Sequence, residues 1–158
     1  MWATWRMAYV GAKQPQGCLF CRLLKARTDR AAWTLARSAH SFVVLNAFPY
    51  NTGHVMVVPR RHAAGLSGLT AAERADLVEL LERAERAVRR AYRPQGLNVG
   101  MNLGECAGAG VPGHAHVHML PRWSGDTNFM PALAGTKVMP ESLPASWKRL
   151  RAAFRQEK

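Results

Sequence analysis

The sequence has few acidic residues and no long apolar run. Ten Asp and Glu stand against 22 Lys and Arg, which gives a formal net charge of +12. Its longest apolar segments, such as Phe42–Leu45 and Val55–Val58, are far shorter than the ~20 residues that a membrane-spanning helix requires. We therefore expect no membrane partner, and the lack of a recognisable secretion signal in the first residues predicts a cytoplasmic location.

Cysteine is also scarce, and an odd number of three does not suit a disulfide framework. The 158 residues are enough for one domain with its own core and too few for two. The excess of basic residues favours polyanionic ligands, either nucleic acids or small phosphates. Charge alone does not choose between these two classes.

Hydrophobic periodicity predicts a mixed fold. Thr70 and Glu73 have the spacing of a capping box, and apolar residues at three- and four-residue intervals continue the predicted helix as far as Ala91. A shorter amphipathic segment is centred on Trp147. The predicted strands are 41–45, 54–58, 97–101 and 114–120. One long helix among hairpin-connected strands indicates an α+β domain built on an antiparallel sheet.

Three histidines in one predicted strand carry the clearest chemical signal. His114, His116 and His118 alternate with apolar residues, so their imidazoles are expected on one face of the strand. The residues alone leave two interpretations open, a metal site and nucleophilic catalysis by one oriented imidazole. The glycine-rich segment at 104–113 favours catalysis on a phosphate, because glycine amides can approach an anion closely.

The segment His114–Leu120 resembles the His-φ-His-φ-His-φ-φ signature of the histidine triad (HIT) superfamily of nucleotidyl hydrolases and transferases, where φ is apolar. Further segments stand in the same order as in that family. They are Gly53–Pro59, Asn98–Asn102, Ala107–Gly108 and Pro121–Arg122. The resemblance implies a HIT-like fold with about five antiparallel strands, one long helix and a short C-terminal helix, in a dimer with a continuous sheet. Residues 1–158 are then one domain, with its core in 18–122 and an extension in 123–158.

A branch of that family is also indicated. Trp2–Tyr9, Pro49–Asn51 and Pro121–Phe129 look like the diadenosine tetraphosphate phosphorylase branch. The resemblance implies cleavage of dinucleoside polyphosphates through a covalent nucleotidyl-histidine intermediate, with phosphorolysis slightly preferred over hydrolysis. The ligands it implies are adenine dinucleoside polyphosphates, AMP, ADP, ATP and inorganic phosphate.

Three alternatives stay open at this point. The first is a purine nucleoside phosphoramidase of the same family. The second is a non-catalytic nucleotide- or nucleic-acid-binding module, although no aromatic RNA-binding motif or zinc-finger spacing supports nucleic acid. The third is a metallohydrolase, which would need carboxylate ligands near the triad, whereas residues 98–123 contain only Glu105 as an acid.

The resemblance assigns roles residue by residue. It makes His116 the nucleophile, His118 the group that contacts the phosphoryl oxygens and helps protonate the leaving oxygen, and His114 the residue that orients its neighbours. Asn102 would hold the substrate phosphate. The other implied contacts are Asn46 at the ribose, Phe20, Phe42 and Leu45 at the base, Gly108, Ala109, Gly110 and Arg122 at the phosphates, and His54 behind the triad. Many family members carry Gln or Ser where this chain has Ala109 and Gly110, so backbone amides and Arg122 are expected to act in their place.

A zinc site is implied by the same resemblance. The Cys18-x-x-Cys21 spacing alone fits a zinc site, a redox pair or coincidence. A closed tetrahedral site needs two further ligands. In zinc-bearing HIT proteins these are a histidine shortly after the Gly-His strand and the first histidine of the triad, which correspond to His62 and His114. We therefore expect a structural zinc ion and no organic cofactor.

Overall fold

The computed structural model describes residues 17–126 and 139–157. The strands in this part of the chain are β1 (Thr34–Arg37), β2 (Ser41–Leu45), β3 (Val55–Pro59), β4 (Gly96–Gly100) and β5 (Val117–Arg122). The α-helices are α1 (Leu19–Leu24), α2 (Ala71–Tyr92) and α3 (Leu143–Phe154). Trp2–Tyr9 and the last three residues of Pro121–Phe129 lie outside the described residues.

The strands form one antiparallel sheet in the order β1-β2-β3-β5-β4. This confirms the predicted fold class of about five antiparallel strands with one long helix and a short C-terminal helix. The individual strand β1 was not predicted, because four residues offer too little alternation to be recognised. Helix α1, which carries Cys21, was not predicted either.

The predicted strand at 114–120 begins later than expected. In the structure β5 starts at Val117, and both His114 and His116 precede it in an irregular segment. The β3–β5 ladder ends at the pair Val57 and Val117, and before it the Ala115 amide donates to the carbonyl of Ala63 beyond β3 (2.7 Å). The first two histidines are therefore held by a loop and not by the sheet.

Helix α2 begins and ends as its sequence predicts. The Thr70 hydroxyl accepts a hydrogen bond from the Glu73 amide (3.2 Å), and the Glu73 carboxylate accepts one from the Thr70 amide (2.8 Å). These reciprocal bonds satisfy two amides that the first turn leaves unpaired. At the other end, Arg93 adopts a left-handed conformation with φ of 46°, and Pro94 follows it. The long helix therefore ends at Tyr92, shortly before β4 begins at Gly96.

The two faces of the sheet have different surroundings. The helix face packs on α2 and α3 and forms the main core, which includes Val43, Val57 and Met119. The opposite face is called here the histidine face. It carries a smaller apolar cluster, which includes Phe42 and Met56 and packs against α1. Alternation along β2, β3 and β5 separates these sets, so His118 on β5 projects from the histidine face beside its β3 partner Met56.

Helix α3 confirms the amphipathic segment predicted near the C-terminus. Leu150 and Phe154 are buried in the main core, and the Trp147 indole donates to the carbonyl of Thr34 on β1 (3.0 Å). In the described parts of the chain, no helix combines the length and the apolar character needed to cross a bilayer.

Candidate active site

The hydrogen bond of the His116 ring fixes which of its two nitrogens carries the proton. Its Nδ1 lies 2.8 Å from the carbonyl oxygen of His114, and because a carbonyl only accepts, Nδ1 carries the proton. In the neutral ring Nε2 then keeps its lone pair. The side chain is buried, and this desolvation lowers the pKa of His116 below its ordinary value despite the opposing hydrogen bond to the His114 carbonyl. The imidazole is therefore neutral at pH 7.

His118 has the opposite tautomer. The Tyr50 amide donates to Nδ1 of His54 (3.1 Å), so the proton of His54 is on Nε2. That Nε2 lies 2.9 Å from Nδ1 of His118 and donates to it. The remaining proton of neutral His118 is consequently on Nε2, where it can be given to a substrate oxygen. Burial, and then repulsion from His116 when that ring is protonated, lower the pKa of His118 to about 4.

Several side chains hold this pair of histidines in place. The Tyr50 ring lies 4.8 Å from the His54 ring and 5.8 Å from that of His118, with the second contact stacked. The amide of Asn46 lies 3.2 Å from Nδ1 of His54. The predicted support of the triad by His54 is thus a direct hydrogen bond in the structure. The sequence analysis missed the ring contacts of Tyr50, since a residue in a turn gives no periodic signal.

His114 faces a cluster of thiols. Its Nε2 donates to the carbonyl of Pro59 (2.8 Å), which leaves a lone pair on Nδ1. Nδ1 lies 3.2 Å from Sγ of Cys18 and 3.8 Å from Sγ of Cys21. Nδ1 of His62 lies 3.5 Å from Sγ of Cys21. All four candidate ligand atoms lie within 4.8 Å of one another.

This donor set suits zinc. Two sulfurs and two imidazole nitrogens form a familiar tetrahedral site, and the Pro59 carbonyl supplies the outer hydrogen bond that usually orients a ligating histidine. The structure therefore brings together all four residues that the resemblance assigned to the metal. Zinc at this position would brace His114, whose carbonyl in turn orients His116.

The glycine-rich loop is adjacent to the first histidine. A short 3₁₀ turn occupies Glu105–Ala107, and the chain then runs through Ala109 and Gly110 into His114. The Asn102 amide donates to the carbonyl of Gly108 (3.3 Å), so these two predicted phosphate contacts lie together. The Gly108 amide itself donates to the carbonyl of Glu105 (2.9 Å) in this structure.

The structure divides the three residues predicted at the base. Phe20 lies against the His114 and His116 rings, at 5.3 and 4.9 Å between centroids, and belongs to the apolar cluster of the histidine face together with Phe42. Leu45 lies on the other side of β2, in the core beneath α2. Its placement on the helix face separates it from the triad and corrects the prediction that it lines the base slot.

Arg122 lies on the histidine face at the far end of β5. Its Nε donates to Asp126 (2.8 Å) and its Nη1 to Asn98 (2.7 Å). The Asn51 amide donates to the same oxygen of Asp126 (2.9 Å). Arg122 is therefore held in one orientation by two acceptors, Asp126 and Asn98. Asn51 fixes Asp126 in turn, across 75 residues of sequence, and a contact over that distance gives no signal in a local pattern.

These features define a class of site. A buried neutral imidazole has a ring nitrogen with a lone pair, a neighbouring imidazole has an N–H, and the carbonyl of His114 orients the first of these rings. These are the groups that nucleophilic and general acid catalysis require. A glycine-rich loop leads into this group, as is common where a protein binds phosphate. Among the described residues, the cluster of candidate metal ligands contains cysteine and histidine and no carboxylate.

Comparison with known proteins agrees with that class. The sequence profile of the HIT domain matches residues 29–125, and the chain therefore belongs to the HIT family. A protein of Mycobacterium tuberculosis called AP-4-A phosphorylase is 44% identical over 116 residues, which are 73% of this chain and 60% of that protein. This chain thus spans less than two thirds of the length of that relative.

Two further similarities bear on the site. An adenosine 5′-monophosphoramidase of Schizosaccharomyces pombe is 29% identical over 128 residues, which are 81% of this chain and 91% of that protein. The crystal structure of a Zn-bound histidine triad family protein from Mycobacterium smegmatis matches with a TM-score of 0.70 and 25% identity, over 89% of this chain and 94% of that one.

Proposed function

We propose that this chain cleaves dinucleoside polyphosphates of the diadenosine tetraphosphate type through a nucleotidyl group carried on His116. The observation that carries the proposal is the pair of opposite tautomers. Hydrogen bonds with the His114 carbonyl and with His54 leave His116 with an unprotonated Nε2 and His118 with a protonated Nε2. The centroids of the two rings are 4.8 Å apart. A nucleophile and a proton donor are thereby ready before substrate binds.

The proposed first step forms one bond and breaks another. Nε2 of His116 attacks the α-phosphorus of the substrate, and the bond from that phosphorus to the bridging oxygen breaks. The proton on Nε2 of His118 goes to the leaving oxygen, so that ATP departs from diadenosine tetraphosphate. We assign the stabilisation of charge on the phosphoryl oxygens to Asn102 and to amides of the loop, and the contact of Asn102 with the Gly108 carbonyl supports their acting together.

The proposed second step transfers the group to an acceptor. An oxygen of inorganic phosphate attacks the same phosphorus, the bond to Nε2 of His116 breaks, and ADP is released. Water in place of phosphate would release AMP. The 44% identity to a protein called AP-4-A phosphorylase supports phosphate as the acceptor.

Rapid quenching tests the intermediate. Protein mixed with radiolabelled diadenosine tetraphosphate is expected to yield adenylylated chain within one turnover, and His116→Asn is expected to yield none while still binding nucleotide. His40→Asn, which changes an exposed histidine in the β1–β2 turn, is the matched control. Consumption of substrate without any labelled protein would contradict the proposal.

Product analysis tests the acceptor. Formation of ADP is expected to require added phosphate, whereas formation of AMP in its absence would show hydrolysis. A second candidate is a phosphoramidase, which the fission-yeast relative favours. Adenosine 5′-phosphoramidate cleaved with a higher kcat/KM than diadenosine tetraphosphate would support that second activity.

We also propose that Cys18, Cys21, His62 and His114 hold a structural zinc ion. The support is the donor set itself, with a bare Nδ1 on His114 and sulfurs at 3.2 and 3.8 Å from it. The ion would stabilise the segment before β5 and take no part in the chemistry. Metal analysis of the purified protein is expected to find one zinc per chain.

A homodimer joined through β4 is proposed as the assembled form, in the cytoplasm. Within residues 17–126 and 139–157, strand β4 pairs with β5 and with no other strand. Val99 on β4 and Leu103 just beyond it are 50% and 49% exposed. Exposed apolar residues beside an open strand edge favour pairing with a second copy. Sedimentation is expected to show a dimer, and Val99→Lys is expected to weaken it.

A further inference from the structure

A cavity of about 510 Å³ lies at the end of the sheet, away from the triad. The turn between β2 and β3 forms one wall, and the C-terminal end of α2 and the residues just before α3 form the others. This volume falls within the range of ~300–1,000 Å³ that is usual for small-molecule sites. Its lining includes Asn51, Tyr92, Trp123, Asp126, Glu141 and Arg149.

The walls combine aromatic rings with hydrogen-bonding groups. The rings of Tyr92 and Trp123 meet edge to face with centroids 6.2 Å apart, and the Arg149 guanidinium lies 5.5 Å from the centre of the Tyr92 ring. Glu141 accepts hydrogen bonds from the Tyr92 hydroxyl (2.6 Å) and from Nε of Arg149 (2.9 Å). The charges of Glu141 and Arg149 therefore offset each other. Because they do, a neutral aromatic ring can enter the cavity without facing an unpaired charge.

The rim of this cavity is continuous with the histidine face. Asp126 lines the cavity and also holds Arg122, which projects from the histidine face of β5. Arg122 and His118 are four residues apart on one face of that strand, which corresponds to roughly 13 Å. Asn51 lines the cavity, while the preceding residue Tyr50 stacks on His118. One turn and one strand end thus separate the proton donor from the cavity.

We infer that this cavity receives the distal nucleoside of a dinucleoside polyphosphate, an inference that rests on the proposed function. With the proximal phosphate at His116, a bridge of several phosphates can follow β5 past the fixed guanidinium of Arg122. The second base then stacks on Trp123, and the carboxylates of Asp126 and Glu141 accept hydrogen bonds from its exocyclic amino group. A single nucleotide is too short to make both sets of contacts, so this cavity selects for dinucleosides.

The test compares two substrates with the same phosphate bridge. Diadenosine tetraphosphate carries the second nucleoside and adenosine 5′-tetraphosphate does not. The wild-type protein is expected to have a kcat/KM about tenfold higher for the dinucleoside, which is the size of one base–aromatic stacking contact. Trp123→Leu is expected to bring the ratio of the two values close to one, and Trp123→Phe to restore most of it.

The ratio remains meaningful when a variant is partly unfolded, because both substrates report on the same active fraction. Val78→Ala, which alters a 63% exposed side chain on α2, is the control and is expected to keep the wild-type ratio. An unchanged ratio in Trp123→Leu, or a wild-type ratio near one, would overturn the inference alone. Failure of the wild-type protein to cleave either tetraphosphate would overturn the proposed function and the inference together.

Discussion

Acidification from pH 7 to pH 5 is expected to reduce the free energy of unfolding through His118. Burial of this side chain, which is 9% exposed, lowers its pKa to about 4, against about 6.5 in an unfolded chain. Between these two values the unfolded chain binds a proton that the folded chain does not. Stability from this group is therefore complete above about pH 6.5 and is lost as the pH falls toward 4.

The expected loss follows from the two pKa values. One pKa unit is worth about 1.4 kcal/mol, and integration between pH 7 and pH 5 gives a loss of about 2 kcal/mol for His118 alone. Urea unfolding at both pH values measures it. His118→Gln removes the titrating group and is expected to lose about 2 kcal/mol less than the wild type over the same interval.

The difference between the two proteins isolates His118 from the other titrating groups. If the proposed zinc ion leaves Cys18, Cys21, His62 and His114 in acid, both proteins lose the same stability, and this loss cancels in the difference. His40→Gln, an equivalent change at an exposed position, is the matched control. Equal losses in the wild type and His118→Gln would show that the fold does not keep this imidazole neutral, and the tautomer argument for the site would fail with it.

Three further changes have expected outcomes. Gly53→Ala is expected to lower stability by about 1–3 kcal/mol in urea unfolding, because φ is +74° and the new Cβ would lie 2.6 Å from the Tyr92 ring. Cys21→Ser is expected to lower the zinc content and the Tm, and an unchanged metal content would exclude it as a ligand. His54→Phe removes the N–H that fixes the tautomer of His118, so kcat is expected to fall at least about tenfold with little change in nucleotide affinity, as steady-state kinetics and calorimetry can establish.

Local sequence patterns were sufficient for much of the fold. The capping residues Thr70 and Glu73 and the apolar spacing after them are short-range features, and α2 begins where they indicate. Short β-branched apolar runs separated by turn residues likewise identified β2 and β3. The boundary of β5 was wrong because pairing depends on a partner: the β3–β5 ladder ends at the pair Val57 and Val117, although β3 itself continues to Pro59. Periodicity contains no information on where the pairing of two strands stops.

The base slot is a different case, in which a local rule was not applied. Phe42 and Leu45 are both apolar and three residues apart, and nothing in their chemistry distinguishes them. An odd number of residues along a strand places them on opposite faces, so only Phe42 shares the face that carries His118. The predicted strand 41–45 already contains both residues, so its alternation alone separates them.

The amino-acid sequence by itself determined which groups are available: three alternating histidines, a pair of cysteines, a glycine-rich loop and a capped amphipathic helix. These are properties of residue type and short-range spacing. The tertiary structure decided which imidazole nitrogen carries a proton, because the fixing partners of His116 and His118 are a backbone carbonyl and a distant histidine. Such assignments depend on contacts between segments far apart in the chain, which folding alone brings together.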